Sequence, residues 1–174
     1  MKNTHFYKTI KPAVSRLRNA AAGVLLLGSK PQIPKNFLLG RVYFYAGDKV
    51  KAHEAYQSAR AYIERAVAEQ PQSAFVQLAL AELMAGIGER DEAIRLCERA
   101  VEMLPVSRDA LHGPTILVYS AEIYGMLGDA TRAVPLIERS LAIPSFQQRP
   151  TLHLDPKWDS IRSDPRFQQL IAGD

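Results

Sequence analysis

Three twenty-residue segments decide the fold: Gly40–Ala59 (GRVYFYAGDKVKAHEAYQSA), Ala81–Ala100 (AELMAGIGERDEAIRLCERA) and Ala121–Ser140 (AEIYGMLGDATRAVPLIERS). They align on Gly47, Gly88 and Gly128, which lie 41 and 40 residues apart. A charged residue follows each glycine: Asp48, Glu89 and Asp129. Small residues stand seven before it (Gly40, Ala81, Ala121), five after (Ala52, Ala93, Ala133) and twelve after (Ala59, Ala100, Ser140). Nine residues after it comes a larger one: Tyr56, Cys97 and Ile137. Such self-similarity marks a repeat architecture. Its physical content is a helical hairpin. The glycine takes the left-handed conformation that stops the first helix. The small residues at seven before and five after let the two helices approach, and the one at twelve after admits the next repeat. Each hairpin leaves an apolar face that only stacking can bury.

This pattern of small residues, turn glycine, alanine and closing proline resembles the tetratricopeptide repeat. Pro105 closes the second repeat, Pro144 closes the third one residue early, and Pro71 closes the first seven residues late. Seven residues make two helical turns, so AYQSARAYIERAVAEQP reads as one lengthened second helix. The remaining excess over the family's usual 34-residue period lies in the Val106–Gly113 connection. HEAT repeats share the longer period, but the fixed small residues around a tight glycine turn favour the tetratricopeptide reading. The stretch from Glu102 to Pro114 and the tail after it also resemble the C-terminal arrays of bacterial multidomain signalling proteins, in which the array follows a kinase, winged-helix or adenylate-cyclase domain.

The resemblance implies an all-α, right-handed superhelix of three hairpins, with an N-terminal helix and a C-terminal cap. The expected organisation is a basic leader (1–35), three hairpins within 36–146 (36–71, 73–105 and 114–144) and a cap (147–174). Helices are expected at 8–27, 36–46, 49–69, 73–86, 90–103, 114–127 and 130–142. In the tail, Asp155-Pro156 and Asp164-Pro165 each read as an aspartate N-cap with proline in the first turn. They frame two short helices whose Trp158, Ile161, Phe167, Leu170 and Ile171 would cover the open face of the third repeat.

Charge is unevenly spread. Residues 1–35 hold seven of the 22 lysines and arginines and none of the 18 acids, so residues 36–174 carry a net −3. The apolar run Ala20–Gly28 (AAAGVLLLG) is too short to cross a membrane. Ser29-Lys30-Pro31 does not supply a signal-peptide cleavage pattern. The leader is therefore expected to pack on the first repeat, with binding to nucleic acid or anionic membrane as the weaker reading.

Catalysis is not expected. There is no Gly-rich phosphate loop and no kinase-type catalytic loop, and the four histidines lie far apart. Neither a metal nor any other cofactor is expected, nor a small-molecule substrate. The single cysteine, Cys97, fits a core position and a reducing, cytoplasmic setting. Trp158, Asp159, Arg162 and Arg166 read as an anchored cap, not a binding site. The expected partner is a protein or peptide held in the concave groove, with self-association through the array ends compatible. The family's groove positions fall on Phe37, Arg41, Phe44 and Tyr45, on Phe75, Leu78 and Glu82, and on Val118, Glu122 and Met126. The expected ligand offers an apolar anchor near the first repeat and a basic group near Glu82 and Glu122.

Overall fold

The computed structural model describes residues 33–145 and 147–173. Six helices form three antiparallel hairpins: α1 (Lys35–Tyr45) with α2 (Lys49–Glu69), α3 (Ala74–Ile87) with α4 (Arg90–Met103), and α5 (Gly113–Met126) with α6 (Ala130–Leu141). A short α7 (Arg149–Leu154), a single 3₁₀ turn (Pro156–Trp158) and α8 (Pro165–Ala172) follow among the described residues. The fold is an all-α helical repeat of tetratricopeptide type. α1 packs on α3 and α3 on α5, so the first helices line one surface. The helix expected at 8–27 lies outside the described residues.

The sequence offsets are packing sites. Gly47, Gly88 and Gly128 adopt φ of 81°, 95° and 68° and turn the chain between paired helices. Ala52, Ala93 and Ala133 have no exposed surface, nor have Ala81, Ala121, Ala100 and Ser140. Asp48 and Asp129 cap the second helices of their hairpins by accepting from the backbone N–H of Lys51 and Arg132. The Asp129 carboxylate also accepts from Arg90 Nη2 at 3.0 Å, while Arg90 Nη1 reaches the Leu127 carbonyl at 2.7 Å. This guanidinium ties the second hairpin to the turn of the third. As expected from the displaced Pro71, α2 runs to Glu69.

One side chain joins two repeats. Tyr56, on α2, is fully buried. Its ring fills a slot between Gly40 of α1 and Gly86 of α3. A Cβ at Gly40 would lie 2.7 Å from Tyr56 Cγ, and a Cβ at Gly86 would collide with Tyr56 Cδ2 and Cε2. Phe37 meets the same ring edge-on, with centroids 5.5 Å apart. The hydroxyl donates to Glu82 Oε1 at 2.8 Å.

The cap follows the expected chemistry with one addition. Asp155 and Asp164 accept from the backbone N–H of Lys157 and Arg166 and start the 3₁₀ turn and α8. Helix α7, begun by Pro150 at its N-terminal turn, was not anticipated. Trp158 is buried against Phe167 (ring centroids 6.1 Å apart) and over Gly125, where a Cβ would sit 3.5 Å from the indole. Arg162 donates to the carbonyls of Leu152, His153 and Asp155, which spends its guanidinium on cap structure. Cys97 is fully buried and burial pushes its thiol up to about 12, so it behaves as a core residue.

The Tyr56 slot makes a prediction of unusual sign. In an ordinary helix interior, glycine to alanine stabilises by about 1 kcal/mol. Gly86→Ala should instead destabilise by about 1–3 kcal/mol through overpacking. In a Tyr56→Ala background the same substitution should become neutral or stabilising. Urea unfolding of the four chains of this cycle tests the pair, and an additive cycle would remove the slot from the account.

Candidate functional site

The first helices enclose an open groove of about 400 Å³. α1 contributes Phe37, Arg41 and Tyr45, with Ile33 just before it. α3 contributes Phe75, Leu78, Ala79 and Glu82. α5 contributes Thr115, Tyr119, Glu122, Ile123 and Met126. These positions recur because residues four and seven or eight apart share a helix face. A second hollow continues the groove past Arg41, Tyr45, Tyr119 and Glu122 to the cap, where Pro150, Leu154, Asp155 and Lys157 line it.

Eight of the ten residues expected from sequence meet here: Phe37, Arg41, Tyr45, Phe75, Leu78, Glu82, Glu122 and Met126. Phe44 and Val118 do not. Phe44 turns away, its ring beneath Lys49 Nζ at 3.0 Å and edge-on to Tyr45. Val118 is buried, about 90° round α5 from the centre of the lining stripe. Sequence reasoning missed Ile33, Ala79, Thr115, Tyr119 and Ile123. Ala79 and Tyr119 occupy the same offset, nine residues before Gly88 and Gly128. Alignment on the turn glycines held that signal, but nothing in the residue types of a lone alanine and a tyrosine marked it.

The electrostatics also differ from expectation. Arg41, Glu82 and Glu122 stand at one repeated offset, six residues before their glycines. Arg41 Nε donates to Glu82 Oε1 at 2.8 Å, and its Nη2 pairs with Glu82 Oε2. The fork-shaped, two-bond contact is the strong form of such a pair. The Tyr56 hydroxyl donates to the same Glu82 carboxylate, and the Glu82 charge raises the Arg41 pKa despite burial. Glu122 pairs with Lys157 of the cap, which also lies 3.3 Å from Asp155. Burial raises the Glu122 carboxyl above its usual range, with Lys157 opposing. Burial opposes protonation of Lys157, but Glu122 and Asp155 outweigh it and raise its pKa. Both carboxylates expected to await a ligand cation therefore already hold a cation of this chain. The groove is an apolar wall with a neutralised polar floor, not an acidic trough.

Burial raises the Tyr45 phenol well above its ordinary value, and Glu82 and Glu122 add to the effect. It stays a neutral hydrogen-bonding group at physiological pH. Among the described residues, no cluster of three or more histidine, cysteine or acidic side chains is placed to hold a metal. Among the same residues no helix is long and apolar enough to cross a membrane.

The groove is the concave face of stacked helical hairpins, lined in register by their first helices. A tetratricopeptide-repeat family model matches residues 37–113. The match takes in α1 to α4 and the connection that follows. The third hairpin lies beyond it and continues the same offsets. Tetratricopeptide repeats generally mediate protein–protein interactions and are typically non-catalytic. No curated protein and no solved structure matches the chain.

The Glu122–Lys157 pair yields a pH prediction for Lys157→Met. Without its lysine, the buried carboxyl should hold a proton to higher pH in the folded chain than in the unfolded one. The folded state then binds more protons, so stability falls as pH rises from about 4.5, the ordinary carboxyl value. The expected loss is about 2 kcal/mol by neutral pH and little below that value. Thermal unfolding from pH 4 to 8 checks it. The Glu122→Gln/Lys157→Met chain should show no such slope, and an equal slope in both chains would assign the effect elsewhere.

Proposed function

We propose that this chain is a protein-interaction module that binds a peptide segment, extended or helical, in the concave groove. One observation carries the reading. An open groove runs from Ile33 to the cap with half-buried apolar side chains on its wall, Phe75 and Met126 among them, and its buried charges are already paired. A ligand therefore meets no uncompensated buried charge and gains mainly by covering apolar surface. Polar contacts for orientation come from the Arg41–Glu82 fork and the Tyr45 hydroxyl. Specificity then rests on a few anchors, and the expected affinity for a single peptide is about micromolar.

The reading favours ligands with two apolar anchors spaced to face one side, one near Phe37 and Phe75 and one near Met126. A fixed negative charge in the ligand would strain the Glu82 and Glu122 pairs and is disfavoured. No catalytic step is proposed. Among the described residues, the polar groups on the groove floor hold one another: Arg41 and Tyr56 bind Glu82, and Lys157 binds Glu122.

Ala79 provides a clean test, because it lines the groove centre and is half-buried. Ala79→Arg places a long side chain across the wall without emptying the core. Peptides selected from a displayed random library on the chain should share spaced apolar anchors. Their affinity for Ala79→Arg, measured by fluorescence anisotropy, should fall at least about tenfold, with the thermal midpoint shifted by only a few degrees. Selected peptides that bind the variant equally well would place the binding surface elsewhere.

A further inference from the structure

We infer that the groove's first occupant is the chain's own leader, with the apolar run Ala20–Leu27 lying along the Phe37–Met126 wall. The inference rests on the proposed peptide-binding role of that groove and names a ligand for it.

Attachment is the first argument. Ile33, the first described residue, already lines the groove. Only five residues, Gly28 to Gln32, separate it from Leu27. Five residues reach about 17 Å at full extension. From Phe37 to Tyr45 the groove runs about 12 Å along α1. Leu27 can therefore reach the near part of this wall, around Phe37 and Phe75, and Gly28 and Pro31 are turn-forming residues suited to reversing the chain.

Size and chemistry agree. Eight residues span about 12 Å as a helix and about 27 Å extended, enough in either form to cover the wall. Val24, Leu25, Leu26 and Leu27 supply the apolar anchors that Phe75, Leu78 and Met126 accept, and no acid lies within residues 1–35. Charge sets the direction. The five charged side chains lining the groove and its extension are Arg41 and Lys157 against Glu82, Glu122 and Asp155, a surplus of one carboxylate. That surplus sits at the cap end, where Lys157 serves both Glu122 and Asp155. A run entering beside Ile33 would bring Arg16 and Arg18 toward this end.

Tethering makes even a weak contact count. A short linker gives an effective concentration of order millimolar. A leader segment whose affinity as a free peptide is about 100 μM would then be docked about nine-tenths of the time. A second ligand would bind about tenfold more weakly than to an open groove, so the leader acts as a built-in competitor that partners of higher affinity displace.

The test uses the full chain. One arm carries Leu26→p-benzoylphenylalanine, whose photoactivated ketone inserts into C–H bonds of nearby side chains and is placed to find those at the Ile33 end of the groove, Phe75 and Leu78 among them. The expected product is a crosslink within one chain, mapped by mass spectrometry to groove residues. A crosslinked dimer would assign the groove to a second copy's leader, and crosslinks outside the groove would overturn the inference. The other arm titrates a fluorescein-labelled peptide of residues 16–30 into the full chain and into L25D/L26D. The variant, with its own leader disabled, should bind the peptide about tenfold tighter, and equal affinities overturn the docking in cis. The two readings fail separately. If library-selected peptides bind L25D/L26D in the groove while the crosslink misses it, only the leader inference falls. If they bind neither chain there, the peptide-binding reading falls with it.

Discussion

Much of this structure depends on how Tyr56 is housed. An aromatic ring of that size fits between two stacked hairpins only because Gly40 and Gly86 offer no Cβ to meet it. Its hydroxyl, carried into a dry interior, needs a partner, and Glu82 supplies one. Glu82 is a buried carboxylate and needs a counter-charge, and Arg41 supplies that. One packing decision on α2 thus fixes the spacing of α1 and α3 and the charge on the groove floor. The core and the candidate site share these atoms, so neither can be altered without the other responding.

The repeated offset six residues before each turn glycine shows how a regular scaffold generates an irregular surface. Successive first helices present Arg41, Glu82 and Glu122 in one column, and the cap adds Lys157 at its end. The order of charges is plus, minus, minus, plus. Two ion pairs result, one between repeats and one between repeat and cap. The adjacent carboxylates are kept apart electrostatically because each is held by a cation on its outer side. The cap therefore does more than shield the core face of α5 and α6. Trp158 anchors it over Gly125, which positions Lys157 on Glu122.

Sequence reasoning went furthest where a residue's role is set by its neighbours along the chain. The turn glycines, the small residues around them, the lengthened α2 and the aspartate caps of the tail are local or periodic requirements. Each appears where its spacing predicts. Eight of the ten groove positions that the family resemblance implies line the groove. The failures are also informative. Phe44 and Phe37 are alike in type and lie on one helix, yet the chain sends Phe44 toward Lys49. Ala79 matters because its side chain leaves room, and a lone alanine gives no sign of that.

The sequence by itself determined that the chain forms three helical hairpins with a closing cap, because hairpin geometry depends on glycine, alanine and proline at short fixed separations. Only the tertiary structure decided the character of the groove. Glu82 and Glu122 read as acids awaiting a ligand until Arg41 and Lys157, separated from them by 41 and 35 residues, are seen to neutralise them. Such pairing depends on how far one helix slides along another and on where the cap comes to rest. The shared offset puts Arg41 and Glu82 in one column, but their two-bond contact and the seating of Lys157 on Glu122 are outcomes of side-chain packing across the array.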